Sequence, residues 1–152
     1  MARNYKQGKF TPKNRGKYTG SYPIYYRSSW ELVLMQYCDK KSSIVEWKSE
    51  SNIIPYISPV DKRAHRYFVD FLIRQQKPDG SIETFLVEVK PKKETQKPKL
   101  QGKKKLRQLQ EAQTYLVNQA KWAAARKWCD KRGYRFVIMT EKELGIEKKK
   151  YK

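Results

Sequence analysis

Residues 66–91, RYFVDFLIRQQKPDGSIETFLVEVKP, decide the fold. They read as two apolar-rich strands, Arg66–Gln75 and Ile82–Pro91, around a turn built from Lys77, Pro78, Asp79, Gly80 and Ser81. Proline at i+1, aspartate at i+2 and glycine at the next, left-handed position fit a type I turn with a G1 bulge, so Lys77 faces Ser81. Counting back from there pairs Ile73 with Phe85, Phe71 with Val87 and Val69 with Val89, which makes one face wholly apolar. The other face pairs Leu72 with Leu86 and sets Asp70 opposite Glu88, with Lys90 two residues further along. Two carboxylates so placed destabilise a hairpin by up to about 1 kcal/mol. The reading therefore expects something positive between them.

Carboxylate oxygens suit a hard cation, Mg²⁺ or Mn²⁺, which takes one or two protein carboxylates and leaves its other positions to water and a substrate phosphate. Such an ion acidifies water and neutralises charge on a phosphate under attack. Lys90 beside it is placed to orient the water and balance charge. Glu31 is a further candidate ligand, conditional on the fold bringing it near.

Outward from the hairpin, Ser28 or Ser29 offers an N-cap to a helix with the stripe Trp30, Val33, Leu34, Tyr37 and Cys38, ending near residues 39–41. Ile44–Trp47 and Ile53–Ile57 are two short β-type runs around a polar segment, the second marked by Pro55 as an edge or a bend. Beyond the hairpin, Leu106, Leu109, Leu116, Ala120, Ala123, Ala124 and Trp128 continue a helical pattern, with Asn118 expected to cap a second segment and Gly133 to stop it. Tyr134–Met139 is a final strand, and Thr140 with Glu143 forms a capping box for a short helix. The order of elements predicts a single α/β domain with a mixed β-sheet. His65 reads as a surface or strand-start residue without an orienting partner close in sequence, and Glu50 as a turn residue.

The 152 residues carry 35 Lys and Arg against 15 Asp and Glu, a net charge of +20 that makes a polyanion the expected partner. The excess is segregated. Residues 1–26 hold +6, residues 92–107 hold +7 and residues 147–152 hold +3, so 16 of the 20 charges sit on an arm, a loop and a tail. A nearly neutral body, 27–146, lies between a basic, largely irregular arm (1–26) and a lysine-rich tail (147–152). Lys92, Lys93, Lys97, Lys99, Lys103, Lys104 and Lys105 are the candidates for gripping nucleic-acid phosphates, with little sequence readout. No apolar run approaches the roughly 18 residues of a membrane span, and the Met1-Ala2-Arg3-Asn4 start has no signal-peptide character. Cys38 and Cys129, far apart and with one histidine in the chain, exclude a zinc finger and read as buried thiols.

Asp70 with Glu88-Val89-Lys90 resembles the PD-(D/E)xK motif of restriction-endonuclease-like nucleases, with Val69 where proline commonly stands. Further segments widen the likeness: Tyr26-Arg27-Ser28-Ser29-Trp30-Glu31, Trp47-x-Ser49-Glu50, Ile54-Pro55-Tyr56, Arg66-Tyr67-Phe68-x-Asp70, Glu88-x-Lys90-Pro91-Lys92-Lys93-Glu94-Thr95-Gln96, and Lys131-Arg132-Gly133 with Thr140-Glu141. Together, over about residues 24–145, they resemble the head completion nucleases of T-even-type phages, and the ordering of helix Glu, strand Asp and acid-x-Lys is similar to TnsA-type endonucleases. The resemblance implies a restriction-endonuclease-like core with a central hairpin flanked by helices. It also implies a catalytic set of Glu31, Asp70, Glu88 and Lys90, with Asp70, Glu88 and Glu31 as Mg²⁺ ligands. The activity it implies is DNA endonuclease action in head completion after packaging, in the cytoplasm of an infected bacterium or at the virion head–neck region. Phage head, portal or neck proteins are the implied partners, and no membrane is. The alternative is a structural head-completion protein that keeps the fold and docks at the portal or neck.

Overall fold

In the computed structural model, which describes residues 7–145, the 66–91 hairpin is the middle of a four-stranded sheet. Along the chain run β1 (Gly8–Phe10), β2 (Ile24–Tyr26), α1 (Ser29–Lys40), β3 (Ile44–Ile57), β4 (Ala64–Gln76), β5 (Ile82–Val89), α2 (Lys105–Asp130) and β6 (Arg135–Met139). The sheet order is β3-β4-β5-β6, antiparallel except that β6 runs parallel to β5. A parallel neighbour requires a crossover, and α2 supplies it.

The turn forms as its residues dictate. The Gly80 N–H donates to the Lys77 carbonyl at 2.9 Å, the Lys77 N–H donates to the Ser81 carbonyl at 2.8 Å, and Gly80 has φ +89°. The register then follows as counted, with Ile73 on Phe85, Leu72 on Leu86 and Phe71 on Val87. There the ladder ends, short of the expected Val69–Val89 pair. The Asp70 carboxylate accepts the Val89 N–H at 2.8 Å, a donor that a strand carbonyl would otherwise take. Val69 instead pairs with Asn52 of β3 and packs with Leu72, Leu86 and Trp122. The apolar face is thus Phe71, Ile73, Phe85, Val87 and Val89, without Val69.

Each face of the sheet has its own core. Trp47, Phe71, Val87, Leu34, Met35 and Tyr18 fill one, and Ile54, Tyr67, Leu86, Trp122, Ala125 and Cys129 the other. Each fully buried large side chain contributes about 1.5–3 kcal/mol relative to exposure. Ser28 caps α1, its Oγ accepting the Glu31 N–H at 3.2 Å. The buried face is Leu34, Met35, Cys38 and Asp39, whereas Tyr37, expected inside, is 47 % exposed. Asp39 is drawn in because its carboxylate accepts the N–H groups of Lys13 and Asn14, each at 2.9 Å.

That clamp also changes the reading of the amino-terminal segment. Residues 7–26 have little regular structure, as their glycines and prolines dictate, but they are not a free appendage. β1 pairs with β2, Ile24 and Tyr18 are buried, and the Tyr18 ring meets Trp47 edge-on at 4.6 Å. Arg3, Tyr5 and Lys6 of this segment, and the 147–152 tail, lie outside the described residues.

Four further expectations are corrected. The two β-type runs before the hairpin are one strand, β3, in which a bulge between Ser49 and Asn52 absorbs the polar residues and leaves Glu50 at φ +52°. Pro55 sits comfortably because β3 is the sheet edge. Asn118 caps nothing, since α2 runs unbroken for 26 residues. Leu106, Leu109 and Leu116 face solvent, because α2 buries only Asn118, Trp122, Ala125 and Cys129, all in its second half. Finally, the Thr140 N–H donates to Glu143 at 2.7 Å as a capping box requires, yet residues 141–145 make turns and no helix.

Candidate active site

The place where the β4–β5 ladder stops is where the acids gather. Asp70 stands at the last β4 position before the β4–β5 ladder, Glu88 one residue past the last β5 residue paired with β4, and Lys90 just beyond the strand. Glu88 is 7 % exposed, unusual for a carboxylate that lacks a tight ion pair. Its Oε1 accepts the Tyr67 hydroxyl at 2.6 Å, and its Oε2 lies 3.7 Å from the Lys90 ammonium. Asp70 spends one oxygen on the Val89 N–H. Each carboxylate is therefore held by one oxygen.

Glu31 approaches from the first turn of α1. Its own N–H is held by the Ser28 cap, and its Oε1 accepts the Arg27 N–H at 3.0 Å. Arg27 also reaches Glu50, its Nη2 donating at 3.0 Å, so the β3 bulge brings Glu50 up behind Glu31. The expected turn residue is thus part of the site's second layer of contacts.

Electrostatics single out the same three acids. Burial holds the Asp70 carboxyl well above the usual carboxylate range, Glu88 and Glu31 add to the rise, and Lys90 only partly opposes it. Burial also raises Glu88, against the pull of Tyr67, Lys90 and Lys121, and raises Glu31, where the neighbouring charges of Glu50 and Glu88 contribute. Burial and the Glu88 charge push the Tyr67 hydroxyl up, so it stays a neutral donor. Excess negative charge, shielded from water, is what a bound cation relieves. Among the described residues no three Asp, Glu, His or Cys side chains form a ready metal cage. What converges is the Asp70–Glu88 pair, with Glu31 felt at longer range, a donor set that matches the one or two carboxylates Mg²⁺ takes.

Of the four residues read from the sequence, the fold brings Asp70, Glu88 and Lys90 together, while Glu31 acts on Asp70 only through space. The fold adds two that were not singled out, Tyr67 and Lys121. The Lys121 ammonium, from α2, lies 5.5 Å from the centre of the Tyr67 ring and acts on Glu88 through space. A tyrosine inside an apolar strand was the available signal, because a buried hydroxyl needs a partner. Lys121 had none, because only the crossover places it. His65 does have an orienting partner, Asp61 at 2.8 Å, but both are exposed and neither is tied to the acids. Of the basic candidates, Lys103 is paired with Glu111 at 2.6 Å, Lys104 and Lys105 begin α2, and Lys92 and Lys93 lie in a 3₁₀ turn directly after Lys90.

Comparison with known proteins meets this geometry. The family described as TnsA-like endonuclease N terminal matches residues 41–141. The chain is 41 % identical over 142 residues to the head completion nuclease of Enterobacteria phage T4, spanning 90 % of this chain and 92 % of that protein. The family match starts after Glu31 and contains Asp70, Glu88 and Lys90.

Proposed function

The chain belongs to the TnsA-like endonuclease family, and from that membership and the buried acid pair we propose that it is a Mg²⁺-dependent DNA endonuclease acting in phage head completion. The observation that carries the chemistry is the Asp70–Glu88 pair, shielded from water at the end of the ladder with the Lys90 ammonium 3.7 Å from Glu88.

The residues divide the work. Asp70 and Glu88 each keep an oxygen free of protein donors or turned to Lys90, and these would hold the ion, with Glu31 closing the α1 side. The ion, Mg²⁺ or Mn²⁺, supplies Lewis-acid neutralisation of the phosphate and acidifies water at the site. Lys90 presents its charge to the phosphodiester and orients the attacking water. Tyr67 fixes Glu88 by one oxygen so that the other points toward Lys90, and the Val89 N–H does the same for Asp70. DNA is held through its phosphates by the basic segment after β5, in keeping with a net charge of +20. The substrate and partners proposed are packaged or packaging DNA and head, portal or neck proteins, met in the cytoplasm of the infected host or at the head–neck region. None of the described helices is long and apolar enough to cross a membrane.

A second reading, a docking protein that keeps the fold, draws support from Leu106, Leu109 and Leu116, which are 51–66 % exposed along one stretch of α2. Plasmid, linear duplex and branched DNA incubated with and without Mg²⁺ separate the two. The nuclease cuts at least one substrate only with the ion, and Glu88→Ala and Lys90→Ala cut none of them. Cutting by these variants at the parent rate removes the assigned site, and no cutting by the parent on any substrate favours docking.

A further inference from the structure

A cavity of about 600 Å³ lies between the basic segment after β5 and the outer part of α2. It is distinct from the acid cluster: none of Glu31, Asp70, Glu88 and Lys90 lines it. Both its walls nevertheless start beside that cluster. Lys93 follows Lys90 by three residues, and Asn118 precedes Lys121, the residue over Tyr67, by one helical turn. The cavity is therefore an extension leading away from the acids along α2.

Its lining is built for a polyanion with flat groups. Lys93, Lys97 and Lys99 line it and have no carboxylate within salt-bridge distance among the described residues. Glu111, in the opposite wall, is already neutralised by Lys103 at 2.6 Å and Arg107 at 2.9 Å. Glu94 is the remaining acid of the lining. Tyr115 supplies an aromatic surface, and Gln96, Gln110 and Thr114 supply hydrogen-bonding groups.

The decisive residue is Asn118. It is 7 % exposed, stands in the middle of a 26-residue helix and lines the cavity. Asparagine is a poor helix interior residue. Its side chain makes no hydrogen bond within the described residues, and its amide is not among their fully buried, unpartnered polar atoms, so the small exposed part of the residue includes the amide, at the cavity wall. A leucine there would suit both the helix and the core. A free amide that a largely buried residue turns into a cationic cavity is explained by a ligand that it binds.

We propose that this cavity receives nucleotides of the DNA strand bordering the cut, with phosphates on Lys93, Lys97 and Lys99 and a base between Tyr115 and the Asn118 amide. The volume falls within the roughly 300–1,000 Å³ of small-molecule clefts. That volume is room for single nucleotides rather than for a length of duplex. Stacking on an aromatic within a positive groove is a recurrent mode of strand binding. This rests on the nuclease reading of the neighbouring acids, but it concerns binding and is tested without catalysis.

Affinity for a fluorescent oligonucleotide is measured by anisotropy in EDTA, with cleavage in Mg²⁺ followed on the same preparations. Asn118→Leu is expected to melt at the parent temperature or higher while binding at least five-fold more weakly. Thr114→Cys, exposed in the cavity wall, offers a blocking test, because Cys38 and Cys129 are buried and burial pushes their thiols up to about 12 and about 11. A bulky maleimide on residue 114 should weaken binding at least ten-fold, and the same label on Gln36→Cys, on the exposed side of α1, should leave it unchanged. Replacing Lys93, Lys97 and Lys99 by alanine should lower the slope of log affinity against log salt by about 2.

Parent-like affinity in both Asn118→Leu and the labelled Thr114→Cys protein overturns the proposal. So does an oligoglutamate peptide that the label displaces while DNA binding is untouched, since the cavity would then serve an acidic protein. If the parent binds the oligonucleotide through this cavity but cuts nothing in Mg²⁺, the active-site reading fails and the cavity assignment stands.

Discussion

The two ends of one hairpin obey opposite rules. At the turn end every feature favours stability: Gly80 takes the left-handed position that the turn demands, the ladder is regular, and charges are matched. Arg74 pairs with Glu46 at 2.6 Å and Arg135 with Glu83 at 2.9 Å across neighbouring strands. Six paired residues further along the same strands the ladder stops, two acids are shielded from water, and Lys90 at 3.7 Å is a loose counter-charge. A sequence that places matched charges at one end did not lack the means to match them at the other. The open end is kept in a destabilised electrostatic state, which fits the proposed role of holding a cation and a phosphate.

The contrast can be broken from either end, and the effects fall in a clear order. Asp70→Ala or Lys90→Ala should reduce Mg²⁺-dependent cleavage by about 10²–10⁴-fold with DNA affinity retained, read by plasmid nicking beside anisotropy. Tyr67→Phe keeps the ring and removes the hydroxyl that pins Glu88. Mn²⁺ affinity, followed by its electron-spin signal, should then fall by about 10–100-fold, as it does when a ligand-orienting contact is lost. At the turn end, Gly80→Ala forces an L-residue to φ +89° and should cost about 1–2 kcal/mol in a denaturant titration, with cleavage unchanged.

The smallest effect is the most diagnostic in sign. Asp70→Asn removes one of two facing negative charges and should stabilise the metal-free protein by up to about 1 kcal/mol, or roughly 2–4 °C in melting temperature. Because the folded-state values of Asp70 and Glu88 are raised, the native form binds protons more tightly than the unfolded chain. The penalty of these acids is then absent below the unfolded carboxylate range and grows as pH rises through the raised values. The advantage of Asp70→Asn should accordingly be greatest at neutral pH and vanish in acid. Melting curves from pH 4 to 8 check it.

How much of this was legible in the sequence depended on which interaction wrote it. Turn chemistry and period-2 alternation are local, so the hairpin, its register up to Phe71–Val87 and the proximity of Asp70, Glu88 and Lys90 could all be counted out. The count failed at Val69, because the Asp70 side chain substitutes for a main-chain acceptor and periodicity carries no record of that exchange. Helical periodicity misplaced Leu106, Leu109 and Leu116 for a different reason: a stripe says which residues share a face, and only the crossover says how much of α2 lies on the sheet. Asn118 looked like a cap because asparagine usually earns its place at a helix end. Glu31 was a candidate conditional on the fold, strengthened by family likeness, since a first-turn acid is equally well explained by the helix dipole. Glu50, Tyr67 and Lys121 depend on a bulge, a register and a crossover, none of which a single segment reveals.

The central claim is that the buried Asp70–Glu88 pair exists to hold a divalent ion for cutting DNA, and one paired measurement tests it most directly. Wild-type and Asp70→Asn proteins are melted across a Mg²⁺ titration, and plasmid cleavage is scored on the same samples. The wild type should gain melting temperature with Mg²⁺ and cut only in its presence. Asp70→Asn should start higher, gain little and leave the plasmid intact. Equal cleavage by the two proteins, or cleavage by the wild type in EDTA, would contradict the account.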